Sequence, residues 1–232
     1  MDTYMKSPPR RLLIGVITAA LAAALGLALV SLGPAHSGAQ VHEMTSASSA
    51  NKRSAELRLH DKMRKLWEEH VTWTRLAIVS FASDNPDLPP TLDRLLQNQE
   101  DIGDAIKPYY GRKVGHRLTK LLKEHINGAV DVLMAAKSGN EQQFTRAKAA
   151  WYHNAREIAD FLHRLNPRNW GRHEMREMMR THLDQTLTEA ADRLAGHYRA
   201  DIRDYDAIER HILNMADTLS SGIVAQFPGR FG

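Results

Sequence analysis

The sequence predicts an all-α fold: an up-and-down helical bundle of four long helices plus one or two accessory helices, behind an N-terminal signal or single-span anchor. Three observations predict it. Apolar residues recur at three-and-four spacing through almost everything after Ser54, and no segment alternates with the period of two that a half-buried strand requires. Gly- and Pro-containing breaks, at Asp84-Asn85-Pro86, Pro108, Ser138-Gly139, Asn166-Pro167 and Gly196, divide that pattern into helix-length pieces joined by short links. Links this short force neighbouring helices to lie antiparallel, and they argue against a continuous coiled coil.

At the start of the chain, Lys6, Arg10 and Arg11 precede the uncharged apolar run Leu12–Gly33, which is long enough to span a bilayer. The basic flank orients the N-terminus to the cytoplasm and the remainder outside it, so the expected localisation is extracytoplasmic: secreted, periplasmic or membrane-anchored. Ala35-His36-Ser37 and Ser37-Gly38-Ala39 offer small residues for signal-peptidase cleavage, so a removed signal and a retained anchor both fit. Residues 1–38 are therefore read as signal peptide or transmembrane anchor, 39–53 as a flexible tether rich in Ser and Ala, and 54–232 as the bundle.

Six helical segments follow in order. The first runs from about Ser54, an expected N-cap, to Ser83. The second covers Thr91 to Lys107, between Pro89-Pro90 and Pro108. A third spans Gly111 to Lys137. Asn140 is placed to cap the fourth, which reaches Leu165 before the loop Asn166-Pro167-Arg168-Asn169-Trp170-Gly171. The fifth covers Arg172 to Leu194 and the last His197 to Phe227, with Gly196 breaking them apart.

Composition narrows the chemistry. There is no cysteine, so disulfides, thiolate metal ligands and thiol nucleophiles are all excluded. Half of the formal charge of +4 is the N-terminal flank; the rest alternates in sign along helical faces, which is a solvated surface rather than a nucleic-acid footprint. Motifs for phosphate cradles, nucleophile elbows and His-Glu-x-x-His zinc sites are missing. An enzyme of unidentified class is accordingly the third reading, behind a binding protein and a structural or protein-interaction module of the cell envelope.

A weak internal repeat carries the leading reading. Leu66-Trp67-Glu68-Glu69-His70-Val71, Leu121-Leu122-Lys123-Glu124-His125-Ile126, Met178-Met179-Arg180-Thr181-His182-Leu183 and Ala207-Ile208-Glu209-Arg210-His211-Ile212 each place a histidine mid-helix, before an aliphatic residue. The stripes Leu59, Met63, Leu66, His70, Trp73, Ala77 and Leu118, Leu121, His125, Gly128, Val132 put His70 and His125 on apolar faces. His182 and His211 follow with more polar company. Bundles build sites from such facing helices, so the four imidazoles are expected to form an interior site for a transition metal or small polar ligand. Imidazole suits zinc, copper, nickel or iron. Thr74 and Thr186, one turn beyond their histidines, are expected to fix imidazole tautomers; Glu189 and Asp204, two turns away, are expected as carboxylate ligands or supporting partners.

The same histidines also fit a plain core of hydrogen-bonded residues, and Trp67, Trp73, Trp151, Trp170, Met175, Met178, Met179 and Met215 fit gap-filling core. The acidic runs at Asp101 and Asp104, and at Asp201, Asp204 and Asp206, are read as solvated faces.

The strings LWEEHVTWTR, LLQNQEDIGDAIKPYYG, NPRNW and IVAQFPGRF, with the N-terminal segment, resemble a family of uncharacterised exported bacterial all-helical proteins, over about residues 57 to 231. The resemblance implies a helical fold and no particular activity. Some members of that family carry a glycosyltransferase label, which these residues do not support. Expected partners are the membrane, through the N-terminal segment where it is uncleaved, and an unidentified protein; nucleic acid is not expected.

Overall fold

A computed structural model describes residues 37–231, with side chains described for 51–231. The signal or anchor expectation falls on residues outside this range; among the described residues no helix is long and apolar enough to cross a membrane. Six α-helices account for nearly all of the described chain: α1 (Ser37–Ala82), α2 (Leu88–Tyr110), α3 (Arg112–Ser138), α4 (Glu141–Leu165), α5 (Arg172–Leu194) and α6 (Tyr198–Gln226), with a 3-10 turn at Pro228–Arg230 and no strand among the described residues. The shortest has 23 residues, so the expected division into four long helices and accessory ones is replaced by six helices of full length.

Three boundaries differ from the sequence reading, one of them the end of α2, which runs through Pro108 to Tyr110 instead of stopping before that proline. Helix α1 starts at Ser37 and runs through the stretch expected to be a tether. That stretch holds no proline, and once a helix is nucleated each added residue gains a hydrogen bond for little further ordering cost. Helix α2 starts at Leu88, so that Pro89 and Pro90 lie inside its first turn rather than stopping the chain before it. Proline is tolerated there because first-turn N–H groups have no intrahelical partner to lose. The remaining breaks follow the turn chemistry. Asn140 Oδ1 accepts from the Gln143 backbone N–H at 2.9 Å, Gly139 closes α3 at φ 68°, and Gly196 separates α5 from α6 at φ 77°.

Consecutive helices from α2 to α6 pack side by side. Side chains tie α1 into the ring: Asn98 Nδ2 of α2 donates to the Leu66 carbonyl at 2.9 Å, Asp217 of α6 pairs with His60 and Arg64, and Lys137 of α3 donates to the Phe81 carbonyl. The core is one cluster that includes Met63, Trp67, Ile102, Leu121, Ile158 and Ile212, and Trp151, Trp170, Met175, Met179 and Met215 are buried in it as expected. Where α2 crosses α3, a Cβ on Gly115 would sit 2.7 Å from the Gly103 carbonyl, so the two backbones touch.

The α4–α5 loop is pinned to α6. Asn166 Nδ2 donates to the Gly222 carbonyl at 2.8 Å, and Trp170, 1% exposed, turns the nitrogen edge of its indole toward Gly222, where an added Cβ would fall 2.0 Å from that nitrogen. Gly222→Ala is expected to cost about 1–3 kcal/mol by forcing Trp170 out of its slot. Gly171→Ala, where the Cβ meets nothing nearer than 3.6 Å, is expected to leave the urea midpoint almost unchanged, and comparing the two midpoints checks the assignment.

Candidate functional site

Three of the four sequence-nominated histidines meet in the middle of the bundle. His70, His125 and His182 are 2–3% exposed, contributed by α1, α3 and α5. His182 sits between the others: its ring centroid is 5.7 Å from that of His70 and 6.2 Å from that of His125. Indole rings flank the layer, Trp151 stacked on His125 at 5.3 Å and Trp67 edge-on to His70 at 5.7 Å. The stripe spacing that places these residues on apolar faces explains their burial.

Amides complete the layer. Asn154 of α4 accepts from His125 Nδ1 at 2.9 Å through Oδ1, while its Nδ2 donates to the Leu121 carbonyl at 3.2 Å. That second bond fixes which way the amide faces, and so His125 carries its proton on Nδ1 and leaves a lone pair on Nε2. Gln99, completely buried on α2, directs Nε2 at the Leu95 carbonyl (2.8 Å), Asn98 Oδ1 (3.1 Å) and His70 Nδ1 (3.2 Å). Turning this amide over would set its oxygen against two other oxygens, so Nε2 faces them and Oε1 is left without a partner. His182 Nδ1 and the indole N–H groups of Trp67 and Trp151 likewise have no hydrogen-bond partner among the protein atoms.

Burial sets the charge of the layer. Desolvation, followed by the proximity of His125, takes His70 from 6.5 down to about 3, against the opposing bond from Gln99. Desolvation takes His125 to about 4 despite Asn154. His182 is pushed well below 6.5 by burial first and then by His70, His125 and His211. At neutral pH the layer is three uncharged imidazoles.

His211 is half-buried and outside the triad, its Nε2 donating to the Met178 carbonyl at 2.9 Å. Thr74 and Thr186 do not touch imidazole nitrogens: their hydroxyls donate to the backbone carbonyls of His70 and His182 at 2.7 and 2.8 Å. A threonine hydroxyl reaches the carbonyl one turn back on its own helix without crossing to another, and that local bond wins.

Glu189 and Asp204 belong to a different cluster. Glu189 accepts from Arg75 at 2.6 Å, and the same guanidinium donates to Asp201 at 2.6 and 3.2 Å, with Arg193 reaching Asp201 at 3.4 Å. Asp201 is completely buried, which corrects its reading as a solvated residue. Its position on the face of Ile208 and Ile212 was the available signal. Burial raises Glu189 to about 7 even against Arg75, and burial followed by Asp192 raises Asp204. Glu189 is thus committed to Arg75 and away from the histidines, while Asp204 Oδ2 is buried without a hydrogen-bond partner.

One helical turn from the triad, an apolar cavity of about 50 Å³ lies among α1 to α5. Its inner wall is buried Ile78, Ile126, Trp151 and Ala190, and its rim is half-buried Phe81 and Leu187. Thr74 and Thr186 also line it, so it abuts the histidine layer. Among the described residues, no group of three or more His, Asp or Glu side chains is arranged to hold a metal ion as the rings stand. Comparison with protein-family models, curated proteins and solved structures returns no match.

Proposed function

We propose that this domain is a small-ligand binding bundle, working outside the cytoplasm behind its N-terminal segment, with His70, His125 and His182 forming the polar end of the site. The observation that carries the reading is the pair of buried, unpartnered atoms within the layer, His182 Nδ1 and Gln99 Oε1. A buried polar atom left unpaired costs about 1–3 kcal/mol, so an interior holding several of them is built for something that pairs with them. The ligand favoured is a small, uncharged, hydrogen-bonding molecule, because three neutral imidazoles give no countercharge to an ion.

A transition metal is the second reading, and one observation favours it. Asn154 holds the His125 proton on Nδ1 and presents a free Nε2 lone pair, as the supporting partners of metal-bound histidines do. Zinc, copper, nickel or iron would require His182 and His70 to turn toward that nitrogen. The competing reading, a structural or protein-interaction module, has the layer filled by ordered water alone.

The test is mass spectrometry and elemental analysis of the purified full chain, prepared without a His-tag, combined with melts before and after chelation or refolding. The expected result is a near-stoichiometric organic molecule whose removal lowers the melting temperature. A stoichiometric metal whose binding is lost in His125→Ala would replace it with the second reading. Neither species, with an unmoved melt on adding zinc, copper, nickel or iron, would overturn both in favour of the structural module.

A further inference from the structure

We propose that the apolar cavity beside the histidine layer binds the hydrocarbon chain of a small hydroxyl-bearing amphiphile, with the hydroxyl oxygen accepting a hydrogen bond from the Trp151 indole N–H. Two independent features point to this class. The cavity wall is mainly hydrocarbon: Ile78 from α1, Leu95 from α2, Ile126 and Val132 from α3 and Ala190 from α5, with Trp151 from α4. Its enclosed volume of about 50 Å³, well below the roughly 150 Å³ of a benzene-binding cavity, holds only the first few carbons of a chain. The half-buried rim at Phe81, Leu88 and Leu187 lets a longer chain continue outward.

Trp151 supplies the second feature. It is 3% exposed, lines the cavity, and has no acceptor for its N–H, while its ring lies stacked on His125. A ligand oxygen at that N–H therefore stands at the junction of cavity and histidine layer. A hydroxyl both accepts and donates, so it takes the indole proton and offers its own to an imidazole nitrogen or to Gln99 Oε1. A carboxylate or ammonium of the same length would bring an unpaired charge into a neutral, buried layer. This assignment of ligand class rests on the histidine layer being the polar end of the site.

The experiment uses 1-hexanol, hexanoate and hexylammonium as probes of one chain length, added to the full chain at pH 7 and followed by indole N–H and imidazole NMR signals. The expected result is that 1-hexanol shifts the Trp151 indole and the His182 ring with at least a tenfold lower dissociation constant than either charged probe. Trp151→Phe, which keeps the shape and removes the N–H, should weaken 1-hexanol severalfold while leaving the protein folded. Ala190→Leu, which fills the cavity wall, should abolish the response. Equal binding of all three probes, or 1-hexanol binding unaffected by both substitutions, would overturn the proposal. A Trp151 shift that Ala190→Leu abolishes, with the His182 ring unmoved, would support the cavity assignment while removing the histidine layer from the site, so the two failures are told apart.

Discussion

Acidification from pH 6.5 to 4.5 should destabilise the domain by several kcal/mol, with up to about two protons taken up on unfolding. The folded values of His70 and His125, about 3 and 4, and the lowered value of His182 all lie below the ordinary 6.5, so in this window the unfolded chain binds more protons. Their stability contribution is complete above 6.5 and is lost as pH falls toward the folded values. Glu189 acts in the opposite sense. Its folded value of about 7 lies above the ordinary 4.5, so its contribution is present below 4.5 and lost as pH rises through 7. Three protons less one leaves a net slope of about 2.7 kcal/mol per pH unit, at 1.36 kcal/mol per unit per group. Over the two units this removes at most about 5 kcal/mol, the lower end of a typical total of about 5–15 kcal/mol, so only a marginally stable domain would unfold outright. Urea midpoints measured at half-unit steps give the slope. In His182→Leu it should fall by about one proton, and an unchanged slope would mean that this ring is not held neutral by burial.

The second large effect is expected at Arg75. Its guanidinium faces two carboxylates that are 2% exposed or less, Glu189 and Asp201, and it stacks over the Tyr205 ring at 5.0 Å. Burial opposes its charge, yet Asp201 and Glu189 hold it above the ordinary arginine value. Removing one partner of such a cluster leaves uncompensated buried charge, and Arg75→Met is expected to cost about 3–5 kcal/mol. Arg193, at 3.4 Å from Asp201, retains part of the compensation and keeps the loss toward the lower end. Adding Glu189→Gln and Asp201→Asn to Arg75→Met should restore most of the stability, because the charges are then gone together. A triple variant no more stable than the single one would show that packing of the arginine stem over Tyr205, rather than charge, is what the cluster supplies.

Both expectations bear on how far the sequence could be read. Helix existence and most ends were legible because the signals are local: Asn140 as a cap, Gly139 and Gly196 at positive φ, and unbroken apolar stripes. The ends that moved, at Ser37, Leu88 and Tyr110, are places where a helix propagates beyond its strongest local signals, in the last case through Pro108. The meeting of His70, His125 and His182 was legible because each stripe fixes a side and a depth along its helix. Their partners were not. Gln99 and Asn154 are visible as polar residues on apolar stripes, but which histidine each faces depends on how helices are ordered around the bundle, and periodicity carries no such information. The threonines were misread through neglect of the bond available on their own helix. Asp201 was misread because its partner Arg75 lies on the first helix, far away in the chain.

The cavity and the layer also give a reason for the arrangement of small residues around them. Gly128 brings Trp151 so close that an added Cβ would lie 3.1 Å from its ring, and the indole is thereby held against both His125 and the cavity. Thr74 and Thr186, whose hydroxyls are bonded to their own helices, line the cavity beside the histidine layer. The result is a hydrocarbon wall that ends abruptly in nitrogen and amide groups, the usual composition of a small-molecule pocket.

The most direct test of the histidine layer is imidazole nitrogen NMR of the labelled chain between pH 7.5 and 5.5. The account predicts three neutral, non-titrating rings, with His125 protonated on Nδ1 through its bond to Asn154, and a His182 signal that moves when ligand is added. If instead any of His70, His125 and His182 titrates near the ordinary value of about 6.5, or His125 carries its proton on Nε2, the layer is not the closed, uncharged site described and the functional reading built on it is wrong.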